Sequence, residues 1–191
     1  MLRKGLLALI ALALVYWGVS ALVRAFASDE TRIRWVLEEM AEGFNETQLA
    51  AATQGVGESF RDDTSGYGKA ELIEALRYVF MSSKHPVTRA FPYRLEIPRE
   101  QLDIELRAAR AGEHGEHARA KFLARVIEPD PAPTRAARGA AAADEETESA
   151  ATSAPEPRVW DLRVQADFTL TEDGWKLARS THEKLSGSWP P

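Results

Sequence analysis

The chain has 191 residues, a formal net charge of −5 and no cysteine. That length supports one domain with a core plus appendages. The acidic balance, without any basic stripe, excludes a nucleic-acid partner, and the missing thiols exclude disulfides and thiolate metal sites.

Met1-Leu2-Arg3-Lys4 opens the chain with two positive charges, and residues 5–23 then run without a charge until Arg24. As a helix at about 1.5 Å per residue this run would span about 28 Å, close to a bilayer core. Two readings compete. Ala25-Phe26-Ala27 before Ser28 resembles a small-residue cleavage site, so residues 1–27 could be a signal peptide that releases a secreted domain. The run is longer than a signal core, which favours an uncleaved signal anchor that holds the protein in the membrane through residues 5–23. Arg3 and Lys4 keep the N-terminus inside and put the domain on the extracytoplasmic, periplasmic side as a single-pass protein. A buried soluble helix is the third account of the same stretch.

Ser28 or Asp29 can cap the next helix, in which Ile33, Val36, Leu37, Met40 and Phe44 recur at helical spacing up to Asn45. Glu46 to Thr53 reads as a short second helix, after which Gly55 and Gly57 loosen the chain. Arg61 to Gly68 is a polar loop of residues that bond their own backbone. Lys69 to Phe80 is a third amphipathic helix, and Pro86 closes the helical half.

Beyond Val87 the period becomes two. Arg94 to Ile97 and Leu102 to Leu106 alternate, with Pro92 and Pro98 marking an edge or a bulge. Gly112-Glu113-His114-Gly115 is a turn, and Ala118 to Val126 alternates again. Residues 128–158 are rich in proline, alanine and glutamate without large apolar side chains, so they read as a disordered insertion. Its length is cheap to close, each doubling costing about 0.6 kcal/mol. The last hairpin, Val159 to Leu185, carries the strongest strand signal: Trp160, Leu162, Val164, Ala166, Phe168 and Leu170 alternate with polar residues, and Asp173-Gly174 turns the chain. Its first strand is expected to pair with Ala118 to Ile127 across the insertion. The domain plan is therefore 28–127 and 159–187 as one α+β unit, 128–158 as insertion and 188–191 as tail.

Three helices followed by long strands, closed by Glu172-Asp173-Gly174-Trp175-Lys176-Leu177, resemble the nuclear transport factor 2-like superfamily, with its polyketide-cyclase-like and ketosteroid-isomerase-like members. The resemblance implies an α+β fold in which three helices pack on a curved antiparallel sheet, behind the N-terminal transmembrane helix. It also implies a cone with an apolar pocket, which some members use for catalysis and others for binding or dimerisation. An apolar small ligand, a homodimer through the open sheet face and a protein partner are the contacts this implies.

Tyr67, Tyr78 and His182 are the candidates for the pocket. Asp103 and Asp167 fall on the polar faces of their strands, opposite Ile104 and Phe168, and read as solvated. Asp62 and Asp63 read as turn residues. His114 and His117 lack a third ligand, so no metal site is assigned, no cofactor is implied and no catalytic set can be named. The leading expectation is an exported, membrane-anchored, non-enzymatic binding or assembly module. The alternative is an isomerase- or cyclase-type enzyme that uses the cone pocket.

Overall fold

The computed structural model describes residues 26–85, 89–107, 116–129 and 157–187. Helix α1, Asp29–Asn45, starts on Ser28, whose hydroxyl accepts from the Thr31 N–H at 3.3 Å, with Asp29 and Glu30 at the positive end of its dipole. Its Ile33 and Leu37 are buried against the sheet. Gly43, also buried, lies where α2 (Leu49–Thr53) crosses, and a Cβ there would sit 2.4 Å from the Ala52 backbone nitrogen. Backbone cannot swing aside as a side chain does, so Gly43→Ala is expected to destabilise the fold by about 2 kcal/mol through overpacking. A melting temperature unchanged in that variant would contradict the close approach.

The chain next forms β1, Val56–Asp62, where the sequence reading saw only loosening glycines and a loop. This strand runs parallel to β6, so the sheet is mixed and not purely antiparallel as expected. Its signal was weak because an irregularity between Val56 and Arg61 breaks the alternation, leaving Glu58 and Ser59 exposed side by side. Helix α3, Lys69–Ser82, follows, with the Glu71 carboxylate accepting from the Gly68 N–H at 3.0 Å. None of its residues is fully buried.

Strands β2 (Arg94–Glu96) and β3 (Asp103–Arg107) share one side of β4 (His117–Glu128), separated by a 3-10 turn at Arg99–Gln101. The free side of β2 meets a side chain: the Asn45 amide donates to the Leu95 carbonyl at 2.9 Å and its oxygen accepts from the Leu95 N–H at 2.6 Å. β5 (Arg158–Thr171) lies antiparallel to β4 over its whole length, from Ala118↔Phe168 to Glu128↔Arg158. The pairing expected across the insertion is present, and the strands extend to Glu128 and from Arg158. β6 (Gly174–Lys184) closes the order β1-β6-β5-β4-β2, with Gly174 at φ 98° in the tight turn before it.

Residues paired across strands share a face. The inner face therefore carries Phe168, Ala166, Ala120, Phe122 and Leu177, which pack with Ile33 and Leu37 into the core. The outer face carries charge: Arg119 grips Asp167 through two bonds of 2.6 and 3.1 Å, Arg125 holds Asp161 at 2.8 Å, and Arg163 meets Glu183 at 3.1 Å. Among the described residues no helix is long and apolar enough to cross a membrane. The anchor at residues 5–23, the turn at Gly112 to Gly115 and the tail 188–191 lie outside the described residues.

Candidate functional site

Trp175 and Leu177 lie on the inner face, and simple alternation would continue it with Arg179 and Thr181. The β5–β6 register instead shifts between Phe168 and Asp167, so Ser180 pairs with Ala166 and His182 with Val164. One irregularity at Ala178 thus exchanges the faces and turns a serine and a histidine inward. Periodicity leaves the orientation of His182 open because it cannot register a bulge.

At the end of β1, Asp62 is only 6 % exposed. Its carboxylate accepts from the Ser65 N–H at 2.8 Å, the Ser65 hydroxyl at 2.6 Å and the Ser180 hydroxyl at 2.8 Å. His182 Nδ1 stands 3.5 Å from the same carboxylate. Burial pushes the Asp62 carboxyl up, but the Ser65 and Ser180 donors, with the charge His182 can carry, outweigh it and hold the carboxyl below its ordinary value. The Thr64 hydroxyl accepts from the His182 N–H at 2.9 Å and donates to the His182 carbonyl at 3.2 Å, which fixes the turn against β6. Asp62 is therefore an ion that holds a turn and faces an imidazole, and its lowered basicity makes it a poor proton acceptor.

Further along the same strands, rings line up from the helices to the sheet. Phe80 and Phe44 lie 5.5 Å apart, Phe44 and Phe91 5.4 Å, Phe91 and Tyr93 5.5 Å, and Tyr93 and Trp160 5.9 Å, all tilted or edge-to-face. Beside them on the inner face is Glu128, 7 % exposed, its Oε2 3.6 Å from Arg158 Nη1. Burial, and then the nearby Glu128 charge, push the Tyr93 phenol up, so its hydroxyl stays a donor. Sequence reading missed Tyr93 and Glu128; a tyrosine amid prolines and a glutamate at the lip of a low-complexity run gave no periodic signal.

The other two candidates do not join this site. Tyr67 is 44 % exposed, and its carbonyl accepts from the Asp62 N–H at 2.8 Å. Tyr78 is 72 % exposed on α3 and interacts through its carbonyl with Ser82. His117 lies in β4, its Nδ1 3.4 Å from the Thr169 hydroxyl, and His114 falls outside the described residues. Among the described residues no three ligating side chains gather for a metal. A cavity of about 500 Å³ opens between α1 and the β5–β6 turn, lined by Trp35, Gln54, Trp175 and Lys176, at the far end of β6 from His182.

The curved mixed sheet with its packed helices is a nuclear transport factor 2-like fold, also described as cystatin-like. A protein from Kribbella flavida superposes with a TM-score of 0.54 at 12% identity, over 84% of this chain and 93% of that one. An NTF2-like protein with a cystatin-like fold from Novosphingobium aromaticivorans gives 0.52 at 14% identity, over 90% of both chains. An NTF2-like protein of unknown function from Pseudomonas putida gives 0.51 at 13% identity, over 84% of this chain and 96% of that one. No protein-family model matches the sequence. No curated protein matches it either.

Proposed function

We propose that the chain is a membrane-anchored, extracytoplasmic binding module, non-enzymatic, that takes an apolar small molecule against the ring-lined end of its inner face. One observation carries this reading. Both buried carboxylates of the inner face are committed, Asp62 to serine donors and Glu128 to the Arg158 charge, while Phe91 and Tyr93 are half-buried rings packed beside the buried Trp160. The anchor rests on the uncharged run of residues 5–23 behind Arg3 and Lys4. Carbonate-washed membranes should retain the full chain, and a C-terminal phosphatase fusion should be active outside the cytoplasm. A mature protein starting at Ser28 would replace the anchor with a cleaved signal.

A second reading, an isomerase- or cyclase-type enzyme, is favoured by His182, which faces inward beside Val164 with Asp62 at 3.5 Å. A β,γ-unsaturated cyclic ketone separates the two. The binding reading expects it to be recovered unchanged, whereas conversion to the conjugated ketone that is lost in His182→Ala would make the protein an enzyme. The absorbance of the conjugated product reports the difference directly.

A further inference from the structure

We infer that the cavity of about 500 Å³ between α1 and the β5–β6 hairpin is a site for a phosphoethanolamine group, a phosphate joined by a short linker to an ammonium. It is separate from the inner-face site, since neither His182 nor any member of the aromatic row lines it. The chemistry rests on the walls alone; that a bilayer lipid brings the group rests on the anchor reading above.

Arg32, Trp35, Val36 and Glu39 recur at helical spacing, so one face of α1 makes one wall. The β5–β6 turn and the start of β6 make the other, with Gly55 between them. A Cβ on Gly55 would fall 2.5 Å from Val36 and 2.6 Å from Met40, and the Gly55 carbonyl accepts from the Leu177 N–H at 2.8 Å. The walls are therefore fixed in place and the cavity is preformed.

Two cations, Arg32 and Lys176, share the lining with two carboxylates, Glu39 and Asp173, so these charges cancel. A ligand of one sign would meet as much repulsion as attraction, whereas a zwitterion sets each charge against an opposite partner. Lys176 Nζ donates to the neutral Gln54 carbonyl at 2.9 Å and meets no carboxylate among the described residues, which leaves its charge and further N–H groups for a phosphate. Arg32 adds a second cation, its Nη1 3.4 Å from Asp29 Oδ1, which also accepts from the Trp175 indole at 3.1 Å. On the acidic side, Glu39 accepts from the neutral Gln54 amide at 2.9 Å, and Asp173 has no partner among the described residues. Trp35 is half-buried in the wall, and a tryptophan ring is the best aromatic partner for an ammonium. Arg32 lies nine positions beyond residue 23, where the uncharged run ends, and the last of these already belong to α1. At most about 25 Å of chain therefore separates the cavity from the bilayer in the anchor reading, within reach of its headgroups.

The full chain in non-ionic detergent micelles is titrated calorimetrically with glycerophosphoethanolamine and with glycerophosphoglycerol, which keeps the phosphate and lacks the ammonium. The first should bind about tenfold more tightly. Asp173→Asn, which keeps a turn-forming Asn-Gly pair, should cut that preference to about threefold. Lys176→Gln should weaken both probes about tenfold. If that variant fails to fold by circular dichroism, Asp173→Asn decides alone, because its exposed side chain holds nothing else in place. Equal affinity for the two probes, heat from neither, or an unchanged preference in Asp173→Asn overturns the inference. Reconstitution separates the two sources of the group. Vesicles containing phosphatidylethanolamine should fill the site and abolish the heat of the soluble probe, which vesicles of phosphatidylglycerol alone should retain. Heat that persists in both assigns the site to a free phosphoester. Carbonate washing of the same vesicles reads the anchor independently: a chain that washes off overturns the anchor reading and leaves the result with the soluble probes standing.

Discussion

Phe168→Ala should lower the unfolding free energy by about 3–5 kcal/mol, a large part of the roughly 5–15 kcal/mol that holds a domain together. The ring is 0 % exposed and lies in register between Ala118 on β4 and Leu177 on β6, beneath Ile33 and Leu37 of α1. Its neighbours explain the size of the effect. Ala118, Ala120 and Ala166 are all buried around it, and these short side chains make room for one large ring. Removing that ring leaves a void, because no alanine can extend to fill it and the paired strands cannot move closer. Urea denaturation followed by circular dichroism measures the loss. A change below about 1 kcal/mol would show that α1 does not clamp this face.

Asp62→Ala should cost about 3 kcal/mol at neutral pH, since it leaves the Ser65 N–H and the Ser65 and Ser180 hydroxyls without their acceptor. The effect has a pH signature. Although burial alone would raise the carboxyl, the donors bring it below its ordinary value in the folded chain. The unfolded chain therefore takes up the proton first. The stabilisation is complete above the unfolded pKa of about 3.9 and disappears as pH falls through the lower folded value. Native and variant stabilities should accordingly differ most near neutrality and converge in acid. A difference that stays constant from pH 7 to pH 2 would mean that the carboxylate charge contributes nothing and only its shape matters.

The final hairpin was legible because it obeys a simple rule: Trp160 to Leu170 alternates without interruption, and Asp173-Gly174 supplies the turn. The same rule marked Ala118 to Ile127 and the strand from Val159 as neighbours across the insertion, and they pair as β4 and β5. Where backbone irregularities enter, the rule fails. β1 was missed because its bulge and its glycine hide the period, and with it the parallel pairing that makes the sheet mixed. His182 was left undecided for the same reason, one residue inserted at Ala178 being enough to reverse a strand's faces. Tyr67 was a pocket candidate by its place in the loop before the third helix and Tyr78 by its place beside that helix's apolar stripe; the two residues are 44 % and 72 % exposed. Glu128 was assigned to the insertion by composition, yet it closes β4 as a buried residue. Composition describes a neighbourhood; burial belongs to the individual position.

The Asn45 side chain offers Leu95 one donor and one acceptor, the same pair that a neighbouring peptide group would offer. At the other end of the sheet, the Arg61–Gly68 bridge and the bond from Asp62 N–H to the Tyr67 carbonyl occupy the last residues of β1. Part of the free edge of each of these two strands is thus occupied by groups from the chain itself, a side-chain amide at Leu95 and a returning loop at Arg61 and Asp62. Open edges are where sheets polymerise, each molecule serving as template for the next. At Leu95 and at the Arg61–Asp62 end of β1 that template is already occupied, so another copy of this protein cannot extend the sheet there.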